Sequence, residues 1–288
     1  MWEPPAVQPL AGDRLHLQHG PIDLVLRAWG AASAVREAYD AAIARFQTVL
    51  PELVGELAEL RKPMAEKPQV EGPVAQRMVA ACRPHAGVFV TPMAAVAGSV
   101  ADEILGVMVE AAPLDRAFVN DGGDIAVHLT EGETLDVALA ADFSRGPIQS
   151  LNGRLSLAHG DGIGGIATSG AQGRSFSLGI ADSVTILARD AASADVAATL
   201  VANAVDAEHP AVERQPATAL DPDSDLGDRL VTTAVGPLPG PVIAAALAAG
   251  LARAEQLQRR GLIFDAALVL QGESRILGKS RPMREIRS

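Results

Sequence analysis

At 288 residues, with 48% hydrophobic but only 3% aromatic residues, the chain can bury a large core built mainly from Ala, Val, Leu and Ile. A formal net charge of -11 excludes a phosphate-backbone binder, which gathers Lys and Arg to displace counterions, so no nucleic-acid partner is expected. The single cysteine, Cys82, excludes an intramolecular disulfide and a Cys-cluster zinc site, and it fits a reducing compartment.

The start, Met1-Trp2-Glu3-Pro4-Pro5, has neither the basic nor the apolar region of a secretory signal. The apolar stretch 241–251 is too short to span a bilayer. A cytoplasmic protein without membrane association is the expectation.

In chain order, residues 14–27 alternate apolar and polar side chains around Gly20-Pro21, which predicts a hairpin. Over 31–61 the spacing turns helical, with Phe46, Leu50, Leu53 and Leu57 recurring at threes and fours. An interruption near Pro51 predicts two consecutive helices or one kinked helix. A loop over 62–72 precedes a helix over Pro73–Cys82. Residues 92–111 read as a long helix in which Ala94, Ala97, Gly98 and Ala101 form a small-residue face pressed on a neighbouring element.

A strand around 117–119, a turn at 120–124 and a strand over 125–129 come next. Strands are also expected at 135–140, 154–157 and 183–188, followed by a helix over 194–205 and an Asp- and Pro-rich loop over 207–228. A helix over 241–260 and a strand over 266–270 complete the set. Strands clustered between helices, with several hairpins, predict α+β rather than regular β-α-β alternation. One domain over 1–278 and a basic, disordered tail over 279–288 are expected.

Four features carry chemistry. Gly160-Asp161-Gly162-Ile163-Gly164-Gly165 fits the dinucleotide fingerprint, but the residues after it lack helical spacing, so a Rossmann site is not expected. Such a loop can still cradle phosphate with successive amides, or can merely need positive φ. Asn120-Asp121-Gly122-Gly123-Asp124 is, taken alone, an ordinary hairpin turn. Asp195, Thr199 and Asn203 make a polar stripe at i, i+4 and i+8 on an otherwise apolar helix, with Ser193 placed to cap it. Cys82 ends a helix ahead of Arg83 and His85, which would lower a thiol pKa, although a buried structural cysteine is the simpler reading. The six histidines form no metal-ligand pair, and no G-x-S-x-G elbow occurs.

Taken in order, Pro92 to Gly98, the 120–124 turn, Gly165-Ile166-Ala167-Thr168-Ser169-Gly170, Ser183-Val184-Thr185 and Ala194-Asp195 to Thr199 resemble an uncharacterised UPF family of the ApbE-like superfamily. The better-known members of that superfamily are FAD:protein FMN transferases. The resemblance implies a two-lobed, T-fold-like α+β protein of mostly antiparallel sheet with flanking helices, binding FAD or another nucleotide with magnesium. A homodimer is among the assemblies it allows.

By the same resemblance, Asp195 and Thr199 match the magnesium-binding side chains, and Val96 stands where a backbone carbonyl completes that site. Gly122, Gly123 and Asp124, with Gly165, Ala167, Thr168, Ser169 and Gly170, match segments lining the flavin nucleotide site. Two departures stand out. Val96-Ala97-Gly98-Ser99 replaces an Ala-Lys-Gly-Tyr stretch, and the His and Asp-Pro-x-Thr-Gly segment that should follow Gly170 is absent, leaving Asp182 as the candidate base. Three functions follow: a flavin or nucleotide transferase, a non-catalytic binding or accessory protein, and a thiol-dependent role for Cys82 in sulfur metabolism.

Overall fold

A computed structural model of the chain describes residues 4–140, 151–173 and 175–278. The 279–288 tail expected from the sequence lies outside the described residues. The strands are β1 (Ala6–Leu10), β2 (Arg14–His19), β3 (Ile22–Trp29), β4 (Arg116–Asp121), β5 (Asp124–Leu129), β6 (Thr134–Ala140), β7 (Leu151–Ala158), β8 (Gly165–Ser169), β9 (Ser183–Ala188), β10 (Val212–Pro216), β11 (Leu230–Val235), β12 (Asp265–Leu270) and β13 (Glu273–Leu277). The helices are α1 (Ala32–Gly55), α2 (Leu57–Leu60), α3 (Pro73–Cys82), α4 (Val96–Ala111), α5 (Ala191–Ala204), α6 (Ala217–Leu220) and α7 (Gly240–Arg259). The class is α+β, with antiparallel sheet and flanking helices.

The chain divides into two compact units. Unit 1 comprises Met1–Leu135, Ala158–Ala167 and Arg189–Val196, and unit 2 comprises Asp136–Leu157, Thr168–Ala188 and Ala197–Ser288.

In unit 1, β1 to β5 form an antiparallel meander, and β8 joins it beside β5 through the pairs Ile125↔Ile166 and Ala126↔Gly165. The alternation read in 14–27 is visible in β3, where Ile22, Leu24, Leu26 and Ala28 are buried while Asp23, Val25, Arg27 and Trp29 are half-exposed. That period-2 burial places one sheet face on the helices. α1 covers it with Ala38, Ala42, Phe46, Val49 and Leu53, and it runs through Pro51 before breaking at Glu56, which separates it from α2. α4 packs against α1, α3, β4 and β5. Among the described residues, Pro92–Ala111 is long and apolar enough to cross a membrane, but Val100, Ala101, Ile104 and Met108 place it in the core of unit 1.

An ion cluster ties the helices of unit 1 together. Arg45 of α1 donates to Glu103 of α4 at 2.7 Å and to both oxygens of Glu52 at 2.9 and 2.8 Å, while Arg77 of α3 donates to the other Glu103 oxygen at 3.1 Å.

In unit 2, β9, β12 and β13 pair in that order, antiparallel, and α7 packs on β12 and β13. Every residue of β9 is buried. The small-residue style of α7 has a direct cause at Gly250, where a Cβ would run into the Val205 and Leu268 side chains. β6 pairs with β7, and β10 pairs with β11 across an irregularity between Glu213 and Arg214. The 207–228 stretch is therefore not all loop: it contains β10 and α6.

Candidate functional site

Of the candidate residues, Val96 opens α4 and Asp195 lies early in α5. Thr91 is extended, Pro92 opens a 3-10 turn over Pro92–Ala95, and α4 follows from Val96. The first amides of a helix have no partner within it. Here the amide of Gly98 donates to Asp195 of α5 at 3.0 Å, and the Ala97 amide also bonds that carboxylate. The exchange runs the other way too. Asp102 of α4 accepts the Ala191 and Ala192 amides of α5, one on each carboxylate oxygen, at 3.0 and 2.9 Å.

Gly98 makes the approach feasible, because a Cβ there would run into the carbonyl of Ala191. The small-residue face read from the sequence is thus real at Gly98. Its neighbour is the first turn of α5.

Ser193 does not cap α5. The cap is Asp190, whose Oδ1 accepts the Ser193 amide at 2.7 Å, so the helix starts three residues earlier than its apolar spacing suggests. Asn203, the end of the polar stripe, accepts the Leu178 amide at 3.0 Å and so secures a loop. Thr199 is half-buried in α5, one turn beyond Asp195.

The electrostatics at this junction are unusual. Burial pushes the Asp195 carboxyl up to about 7, working against the Gly98 and Ala97 amides. The charges that act on it are Asp121 and Asp102, both of its own sign. Burial likewise pushes Asp102 up to about 6, against the Ala192 and Ala191 amides. Asp121 is buried at the end of β4, just before the Gly122–Gly123 turn. Among the described residues no group of three or more His, Cys, Asp or Glu side chains is placed to hold a metal ion. A cation at Asp195 would therefore depend on few carboxylates, with main-chain oxygens, hydroxyls and water.

The 120–124 segment forms the hairpin its sequence suggests. Asp121 pairs with Asp124, both glycines between them have positive φ, and the Gly123 amide donates to Asn120 Oδ1 at 2.8 Å. The glycine-rich segment departs from expectation, since Gly165–Ser169 is strand β8 rather than a loop. A Cβ at Gly164 would meet the Arg189 carbonyl, and one at Gly165 the Asp190 carbonyl, so close backbone approach requires these glycines. Ala167 is buried in unit 1.

In unit 2, Thr168 and Thr185 share a hydroxyl–hydroxyl bond of 2.9 Å, Ser169 is half-buried, and Gly170 lies where a Cβ would strike the Asp182 carbonyl. Asp182 accepts from the Gln172 side chain at 3.1 Å and from the Gln271 amide at 2.5 Å. The second bond fixes the β12–β13 turn, where Gln271 and Gly272 both have positive φ.

Cys82 lies in unit 1 with its thiol 3.4 Å from the Thr91 carbonyl, and burial, reinforced by Asp195, pushes its pKa up. The shift is opposite to the one that makes a thiol reactive.

Sequence reasoning missed Asp102 and Asp121. A signal for Asp102 was present: it falls four residues after Gly98, as a polar residue in a small and apolar helix, the same pattern that drew attention to Asp195.

A family model described as "AbpE bacteria" matches residues 7–276. The chain belongs to that family. Similar sequences include a UPF0280 protein of Methanothrix thermoacetophila, 42% identical over 134 residues, covering 46% of this chain and 52% of that one. Another is a UPF0280 protein of Methanopyrus kandleri, 33% identical over 164 residues, covering 56% and 61%. A third, from Methanococcoides burtonii, is 36% identical over 141 residues, covering 49% and 55%. The chain thus spans little more than half the length of the relatives it matches. A crystal structure of the ApbE protein of Thermotoga maritima covers 96% of both chains at a TM-score of 0.46 and 12% identity.

Proposed function

We propose that the protein binds a flavin or another nucleotide together with magnesium and acts on it as a transferase-like enzyme. The observation carrying this reading is Asp195, a buried carboxylate among carboxylates, with its pKa pushed up to about 7. A hard cation relieves such an arrangement. The donors assigned to it are all oxygen: the Asp195 carboxylate, the Thr199 hydroxyl and the Val96 carbonyl, with water filling the remaining positions as magnesium prefers. When bound, magnesium would neutralise pyrophosphate charge on the ligand. Family membership supports a flavin as that ligand. Gly122, Gly123, Asp124, Gly165, Ala167, Thr168, Ser169 and Gly170 are assigned to its nucleotide part by their match to the transferase segments.

A second reading, binding without catalysis, has one observation in its favour. Asp182, the stand-in for the missing segment, already accepts hydrogen bonds on both oxygens and holds a turn. A base so engaged must release a structural bond before it can take a proton.

Melting curves with FAD, FMN and ATP, each with and without magnesium, test the first reading. A ligand at a hundred times its dissociation constant should stabilise the protein by about 2.7 kcal/mol, and only when magnesium is present. No shift with any of the three would remove the reading. Incubation with FAD, magnesium and a protein acceptor bearing Ser or Thr to take the FMN, followed by chromatography for AMP, separates the two readings: binding without AMP release favours the second.

A further inference from the structure

We infer that Asp102 is a positioning residue whose grip on the first turn of α5 sets the Asp195 carboxylate against the start of α4. The inference rests on the reading that Asp195 serves the ligand site. Its structural half stands on the hydrogen bonds alone.

A helix needs partners for its first amides, and α5 finds two kinds. Asp190 supplies the local one, a cap on Ser193 that moves with the helix and fixes nothing outside it. Asp102 supplies the other from a different helix, one carboxylate oxygen to each of two consecutive amides. Two bonds from one planar group restrain both the distance and the rotation of the α5 first turn relative to α4.

Asp195 lies one turn further along α5 and returns the contact, accepting the Gly98 amide four residues before Asp102. The five residues close a loop: Gly98 to Asp195, along α5 to Ala191 and Ala192, across to Asp102, and along α4 back to Gly98. Backbone contact between Gly98 and Ala191 leaves no slack inside it. Any displacement of α5 that lengthens the Asp102 bonds therefore carries Asp195 away from Gly98, because backbone meets backbone at Gly98 and Ala191.

Asp102 also faces Asp190 and Arg77. Of these groups, Asp102 reaches the Ala191 and Ala192 amides with both oxygens. An amide in its place retains one acceptor and turns an N–H toward a second N–H, so Asp102→Asn breaks half the grip at constant size.

The test uses the full chain and two readouts. Hydrogen exchange at the Gly98 amide reports the Asp195 contact, and manganese alone, titrated by the loss of its free electron-spin signal, reports the site. Asp102→Asn should keep the fold, speed Gly98 exchange at least tenfold and weaken manganese binding at least tenfold. Asp102→Glu, which keeps the charge but adds a methylene, should shift both readouts less and serves where the Asn variant does not fold. Unchanged Gly98 exchange in a folded Asp102 variant overturns the inference, whatever happens to manganese. Wild-type manganese affinity in Asp102→Asn, alongside its loss in Asp195→Asn, overturns it as well. A wild-type protein that binds no manganese refutes the magnesium reading instead, and Gly98 exchange then decides the positioning role by itself.

Discussion

Gly98 shows how one hydrogen atom decides a junction. Any side chain there meets the Ala191 carbonyl, which is backbone and cannot rotate aside. Gly98→Ala should therefore destabilise by about 2–3 kcal/mol, at the upper end for overpacking, read as a lower melting temperature. A variant that melts with the wild type would mean the helices are not in this contact. The two carboxyls at the same junction give a pH signature. Asp102 and Asp195 titrate from 3.8 to about 6 and about 7 in the folded chain. Between those values the folded state holds more protons than the unfolded one, so stability falls as pH rises through 6 and 7. In metal-free buffer the melting temperature at pH 5.5 should exceed that at pH 8. Asp195→Asn should flatten the difference, and an equally steep profile in that variant would place the titration elsewhere.

At the scale of elements, unit 1 depends on a charge cluster as well as on its apolar core. Glu103 is 9% exposed and bonds two arginines. Glu103→Ala would remove the α4 partner of Arg45 and Arg77 while leaving Arg45 paired with Glu52, and should cost about 2 kcal/mol in a denaturant melt. A loss well below 1 kcal/mol would show that water screens the pair. The elements also differ in how openly the sequence declares them. Pro73–Cys82 and Ser183–Ala188 match their expected bounds to the residue, since a helix-opening proline marks one and an unbroken β-rich run marks the other. β1 carried no such signal. Ala6 to Pro9 are exposed, so no alternation betrays the strand, and Pro9 sits where an edge strand tolerates it. β10 hid in a polar stretch because its pattern is mostly exposed. The Asp195 polar stripe and the Gly122–Gly123 hairpin were legible from local pattern. Asp102 showed only as a polar residue in a small and apolar helix, and Asp121 only as a turn residue, because their importance comes from partners about 90 and 70 residues away in the chain, which spacing alone does not report.

For the whole molecule, the consequential feature is that neither unit is a continuous piece of chain. Unit 1 needs Ala158–Ala167 for the strand beside β5 and Arg189–Val196 for the carboxylate that caps α4. A fragment ending at residue 135 should then keep helix content but lose fixed packing, with little near-ultraviolet signal from Trp29 and rapid exchange at Gly98. Native-like protection of Gly98 in that fragment would show that the later segments are dispensable. The same threading sets an order on the protein's making. A ribosome releases the chain from the N-terminus, and the meander from β1 to β5 emerges with α4 well before its partners exist. Through that interval β5 has an open edge and the α4 amides have only water. Such an edge invites pairing with other chains. Substitutions that slow translation or folding between residues 135 and 196 should therefore lower soluble yield while leaving the stability of the finished protein untouched.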